Sequence, residues 1–150
     1  MITPVKDAKI TSPYGYRTDP ITGKAGSFHD GVDFISKTGD KTIYAISGGT
    51  ITYIFDKYNP AERWDLSKES AAGNYLIYTI VFKGNRYFIK PLHFEKINNF
   101  KLGDEIKESD PLGEYGDVGY SAGAHTHIYC FNNLWKKIDP SFLFEGLLNL

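Results

Sequence analysis

The sequence predicts an all-β fold, mostly antiparallel sheet with little helix. Three features point there. β-Branched and aromatic residues gather into short runs, drawing on 11 tyrosines and 10 phenylalanines, and such residues suit a pleated, half-buried surface. Fifteen glycines and seven prolines punctuate those runs at short spacing, as turns between strands require. Little of the remaining chain reads as helix, so packed or partly closed sheets are the expected architecture.

In chain order, residues 42–46 (TIYAI) read as a strand, followed by Gly48-Gly49 and a second strand over 50–55 (TITYIF). Residues 59–72, containing AERWDLSKESA, read as a short helix or an excursion between strands. Residues 75–82 (YLIYTIVF), a turn at Lys83-Gly84-Asn85 and residues 86–90 (RYFIK) form a predicted hairpin. Residues 102–106 and 110–113 read as tight turns between short strands. A second hairpin is predicted from 125–131 (HTHIYCF), a turn at Asn132-Asn133, and a strand over 134–138. Asp139-Pro140 opens a terminal helical turn over 141–148, with proline at its start.

A length of 150 residues favours a single domain, residues 1–150. Apolar residues at 41% and charged residues at 23% are an ordinary globular balance. Lys and Arg number 17 against 18 Asp and Glu. This balance gives no reason to expect a nucleic-acid partner held by phosphate attraction, or a basic membrane-surface module. No segment approaches 18 continuous apolar residues, so no membrane span is expected. A single cysteine, Cys130, excludes an intrachain disulfide. The first 16 residues carry prolines and charges where a signal peptide would carry its apolar stretch.

Chemistry concentrates in four histidines: His29, His93, His125 and His127. His29 and Asp33 are four apart, so they share a face in a helical turn or in a strand. Gly31 between them permits a crowded backbone, and Val32 and Phe34 point away, into a core. His125 and His127 share one face of a strand, roughly 6.5–7 Å apart. Thr126, Ile128 and Cys130 then face the other side, which makes Cys130 a small buried hydrophobe rather than a ligand. Two histidines and a carboxylate leave an open position on zinc, the pattern of a catalytic site. The remaining histidines suit a base for a metal-bound water and a donor for an oxyanion. Taken singly, each histidine is as readily a hydrogen-bonded core residue. The joint pattern carries the reading, and spacing alone leaves open which of His125 and His127 would hold the metal. The same three ligand types also make the facial triad of non-haem Fe(II) oxygenases. The first motif there is His-x-Asp, however, and that chemistry needs neither further histidine.

At these residues the sequence resembles the M23 family of zinc metallopeptidases, the LytM or lysostaphin-like endopeptidases. Residues 12–23 (SPYGYRTDPITG) resemble the family's opening segment, and His29-x3-Asp33 its first ligand motif. Residues 44–51 (YAISGGTI), 73–77 (GNYLI) and Leu92-His93-Phe94 follow in the family's order. So do 102–106 (LGDEI), Pro111-Leu112-Gly113, Gly119-x-Ser121-x-Gly123-x-His125-x-His127, and Asp139-Pro140. The resemblance spans roughly residues 9–144.

The resemblance implies a LytM/lysostaphin-like β-fold with a groove across the sheet and one Zn2+ at its floor. It implies His29, Asp33 and His127 as ligands, with His93 and His125 as catalytic residues. It also implies zinc-dependent hydrolysis of peptide bonds in the stems or cross-bridges of bacterial peptidoglycan. The alternative is a catalytically inactive module of the same fold, with a binding or virion-tail role. Action at the cell wall without a signal peptide suits a virion-associated, holin-released or excised domain, such as a phage or prophage lysin or part of a larger cell-wall hydrolase. Tyr14, Tyr120 and Tyr129 are candidate donors or groove walls, as readily explained by packing, and Asn74 is a candidate groove residue. Three departures bear on substrate preference: Pro91 replaces the usual Tyr, Thr126 the usual Leu, and Ile128-Tyr129-Cys130 the usual Phe-Glu run.

Overall fold

A computed structural model describes residues 1–148, so the expected domain end at residue 150 lies outside the described residues. Every strand pairing within them is antiparallel. The main sheet runs in the order β1 (Ala8–Ser12), β4 (Val32–Ser36), β12 (Thr126–Phe131), β8 (Asn85–Pro91), β7 (Tyr75–Phe82), β6 (Gly49–Phe55) and β10 (Glu105–Ile106). β13 (Lys137–Ile138) continues beside β12. A second sheet orders β5 (Thr42–Tyr44), β11 (Pro111–Tyr115) and β9 (Phe94–Ile97), and β2 (Gly15–Arg17) pairs with β3 (Ser27–His29).

The main sheet presents two chemically distinct faces because side chains alternate along each strand. Val32 and Phe34 of β4, Ile128 and Cys130 of β12, and Ile89 of β8 are fully or nearly fully buried on one face. They share one core with Ile43, Leu112, Phe94 and Tyr115 of the second sheet. Each large apolar side chain so buried contributes about 1.5–3 kcal/mol. Two buried tyrosine hydroxyls tie the layers together. Tyr115 accepts from the Ser36 N–H at 3.0 Å, and Tyr78 accepts from the Ile46 N–H at 3.1 Å. The other face carries Asp33, His127, Tyr129 and Lys90. Cys130 is the small buried hydrophobe that the alternation predicts.

The first predicted hairpin forms with a two-residue turn. Lys83 and Gly84 both have positive φ, 48° and 81°, and Phe82 pairs with Asn85, the left-handed geometry that matches strand twist. The 42–46 and 50–55 runs belong to different sheets. The predicted strand over 134–138 shortens to Lys137–Ile138. The Asn132 side-chain carbonyl accepts from the N–H groups of Leu134 and Lys136 at 2.9 and 3.1 Å, and Trp135 turns left-handed at φ 58°. That local loop removes three residues from the ladder. Residues 59–72 are an excursion holding two single-turn 3-10 segments, Pro60–Glu62 and Glu69–Ala72. The terminal turn is Pro140–Phe144, capped by Asp139 accepting from the Ser141 N–H at 2.9 Å. Among the described residues, no helix is long and apolar enough to cross a membrane.

Candidate metal centre

His29 ends β3, and Asp33 lies in β4. In one continuous strand, four residues would separate them by about 13 Å. Instead the chain bends at Asp30-Gly31 and brings His29 Nε2 to 3.3 Å from Asp33 Oδ1. Register supplies the third group: His127 on β12 pairs directly across from Asp33 on β4. Its Nδ1 lies 2.8 Å from Asp33 Oδ1 and 3.0 Å from His29 Nε2. All three residues are buried.

Gly31 makes this packing possible. A β-carbon there would overlap the His127 ring at Nε2 and approach the Ile128 carbonyl. The crowding expected at this glycine is therefore contact with an imidazole from a strand 94 residues away in sequence from Asp33. His127 Nε2 is buried and has no hydrogen-bond partner among the described residues.

Backbone carbonyls fix three of the four imidazoles. Nδ1 of His29 donates to the Pro13 carbonyl at 2.9 Å, that of His93 to Val118 at 2.7 Å, and that of His125 to Gly123 at 2.8 Å. A carbonyl only accepts, so each Nδ1 carries a proton, and in the neutral form of each ring the lone pair is on Nε2. His127 is turned the other way, with Nδ1 inward.

Asp33 is the anionic centre of the group. Burial alone would raise its carboxyl, but hydrogen bonds from His127 and His29, with charge from His127 and His125, outweigh burial and hold it far below the ordinary carboxylate range. Arg17 adds a cation on the outer oxygen, with Nη1 3.5 Å from Asp33 Oδ2 and 2.6 Å from Ser12 Oγ. Sequence reading placed Arg17 only in a matching segment. Its contact needs the β2–β3 hairpin to fold over β4, which no local pattern encodes. His125 Nε2 lies 3.6 Å from Asp33 Oδ1.

His93 and His125 form a second pair, with ring centroids 4.7 Å apart. His93 sits between β8 and β9 in the left-handed region, φ 63°. Such a conformation costs about 1–3 kcal/mol outside glycine. It is held by its N–H on the Ala72 carbonyl at 2.8 Å, its carbonyl on the Gly116 N–H at 3.0 Å, and the Val118 bond. Burial, reinforced by His125 and His127, pushes the His93 imidazole down to about 3, so its ring is neutral near pH 7.

Two loops wall this region, and Arg63 clamps one to the other. From the 59–72 excursion it donates through Nε to the Gly119 carbonyl at 2.9 Å and through Nη2 to Asp117 Oδ1 at 3.0 Å. A cleft of about 610 Å3 opens onto Asp33 and His125, lined also by Pro13, Arg17 and Gly123.

The other candidates divide. Tyr129 packs its ring on His127 at 4.3 Å. Tyr14 stacks edge-on with Phe28, and Tyr120 with Trp64. Asn74 is spent on structure, accepting from the Tyr58 N–H at 3.0 Å and donating to the Phe94 carbonyl at 3.0 Å. Pro91 keeps its place in the ladder opposite Ile128. Thr126 donates to the Leu92 carbonyl at 2.8 Å.

His29 Nε2, Asp33 Oδ1 and His127 Nδ1 form a compact triangle of donors that can hold one metal ion. Tetrahedral zinc with bonds of about 2.0–2.1 Å has ligand atoms about 3.3 Å apart, close to the separations here. Two imidazole nitrogens and one carboxylate oxygen suit that metal.

Residues 27–140 match the profile of peptidase family M23. An uncharacterized metalloprotease from Buchnera aphidicola subsp. Baizongia pistaciae is 32% identical over 143 residues, 93% of this chain. The chain spans 32% of that protein's length. The catalytic domain of the antimicrobial peptidase lysostaphin from Staphylococcus simulans is 29% identical, with a TM-score of 0.65 covering 90% of this chain and 91% of that one. A zinc-containing peptidase from Vibrio cholerae shares the fold at 24% identity, with a TM-score of 0.66 over 92% of this chain and 37% of that one.

Proposed function

Because the chain belongs to peptidase family M23, we propose that it is a zinc-dependent endopeptidase that cuts peptide bonds in peptidoglycan stems or cross-bridges. The observation that carries this reading is the convergence of three ligand atoms within 3.3 Å of one another beside two histidines whose Nδ1 atoms are tied to main-chain carbonyls. The proposed ligands are His29, Asp33 and His127, and the proposed catalytic pair is His93 and His125. Zinc held there supplies Lewis acidity, acidifying a water to a pKa of about 7 and polarising a substrate carbonyl.

The chain's own residues do the rest. Nε2 of His93 or His125 would take up the proton released from the attacking water. The charged imidazole that results donates a hydrogen bond to the developing oxyanion and then returns the proton to the leaving amine. With each Nδ1 tied to a carbonyl, the proton has one place to go on each ring. Asp33, kept ionised, balances the positive charge. The proposed setting is the bacterial cell wall, as a phage lysin or as part of a larger hydrolase. A purely binding or virion-tail module would have no use for five chemistry-bearing residues brought together in this way.

The test is release of new amino groups from purified sacculi of several wall types, with and without a chelator. Chelator-sensitive release is expected, and identifying the new N-terminus names the bond. No release from any wall by zinc-loaded protein would overturn the reading.

A further inference from the structure

Beyond His127 along the same face of β12, the sheet carries a second pocket, of about 220 Å3. Tyr129 is two residues on from His127, and Lys90 on β8 pairs directly with it. The Lys90 ammonium lies 4.4 Å from the Tyr75 ring centroid and 5.6 Å from that of Tyr129. Lys137 covers Tyr129 at 4.2 Å. Two cations therefore meet over one aromatic floor.

The carboxylates nearby are already engaged. Glu69 Oε2 accepts from the Tyr53 and Tyr75 hydroxyls at 2.8 and 2.6 Å. Asp30 Oδ2 accepts from Lys137 at 2.9 Å. Among the described residues, Lys90 has neither an ion pair nor a hydrogen-bond acceptor. Burial, with repulsion from Lys137, pushes its ammonium down. Ring faces offset part of the lost hydration of a cation, but they give its N–H groups no oxygen. A half-buried ammonium whose N–H groups meet no protein oxygen among the described residues, in a pocket and beside a second cation, favours an anionic partner.

We propose that Lys90 and Lys137, over Tyr129 and Tyr75, form a subsite for a free carboxylate on the substrate peptide, about two residues from the bond cut. The distance follows from strand geometry, since one i to i+2 step along β12 spans about 6.8 Å, as two residues of an extended peptide do. This inference rests on the endopeptidase reading. It deepens that reading by making carboxylate-bearing walls better substrates than amidated ones.

The test uses zinc-loaded protein and one pool of cross-linked soluble muropeptides, native or with every free carboxyl converted to amide by carbodiimide and ammonia. Wild type is expected to cleave the native pool about ten-fold faster at low substrate, through KM, the gain of one charge-assisted contact. Lys90→Gln should lose that preference by slowing only on the native pool, and Lys90→Arg should retain it. Lys101→Gln removes a remote exposed charge and should change neither rate. Equal cleavage of both pools by wild type overturns the subsite, as does an equal loss on both pools in a folded Lys90→Gln protein. If wild type cleaves neither pool, the endopeptidase reading has failed on this wall. Calorimetric binding of the two pools to His125→Ala protein then decides the subsite. Tighter binding of the native pool, lost in the added Lys90→Gln change, supports it, and equal binding overturns it.

Discussion

The imidazole of His127 fills the space that a side chain at Gly31 would need. This contact locks a candidate ligand on β12 against the bend that carries the other two. Gly31→Ala should therefore shift His127 and cost about 1–3 kcal/mol through overpacking. Zinc affinity should fall by about 10–100-fold, the range seen when a ligand's support is lost. Thermal unfolding and competition with a chromophoric chelator read the two effects. An alanine variant with unaltered zinc affinity would show that the contact does not govern the ligand.

The roles proposed for the histidines separate by metal content. His125→Ala should bind zinc as wild type does and lose about 10²–10⁴-fold in hydrolysis, the usual contribution of a positioned acid–base group. His29→Ala and Asp33→Ala should lose both metal and activity. Metal analysis beside an amino-group release assay distinguishes them. Wild-type turnover in His125→Ala would remove it from the proposed catalytic pair.

His93 should make the metal-free protein sensitive to acid. Its folded pKa is pushed down to about 3 from 6.5, chiefly by burial. Between those values the unfolded chain binds a proton that the folded chain refuses, so stability falls as pH drops through that window. The slope from this group is at most about 1.4 kcal/mol per pH unit. Denaturant unfolding of metal-free protein at pH 7, 6, 5 and 4 should show a shallower decline in His93→Gln. Parallel declines would mean that His93 is not held neutral by its burial.

Arg63 touches neither the ligand triangle nor the catalytic pair, yet it holds the segment whose Val118 carbonyl orients His93. Arg63→Ala should keep its zinc, lose about ten-fold in turnover, and become more easily nicked by protease between residues 117 and 121. Unchanged turnover together with unchanged protease resistance would assign Arg63 to surface packing alone.

The hairpin over residues 75–90 was legible in the sequence because its alternation and its Lys83-Gly84 turn are local. The two faces of β12 were legible for the same reason, with Cys130 inward and His127 outward. The short strands β1, β2, β3 and β9 were not, because three to five residues carry too little pattern. Nor was the pairing of His127 with Asp33, which joins residues 94 apart through sheet register. Spacing correctly brought His29 and Asp33 to one point, but by the wrong route, since the bend at Gly31 does what a shared strand face could not. Arg17 and Arg63 carry no local signal of their roles, because an arginine's role depends on which loop folds against it.

His29, His93 and His125 each direct Nδ1 at a main-chain carbonyl, at Pro13, Val118 and Gly123, and the Ser12 and Ser121 hydroxyls lie only farther off, 3.4 and 3.2 Å from Nδ1 of His29 and His125. A codon change can delete a hydroxyl or a carboxylate, but it cannot delete a carbonyl. The residues bordering the cleft can therefore drift in identity while the three rings keep their protons where they are. Such a scaffold would let the lining of the cleft change without disturbing the rings it orients.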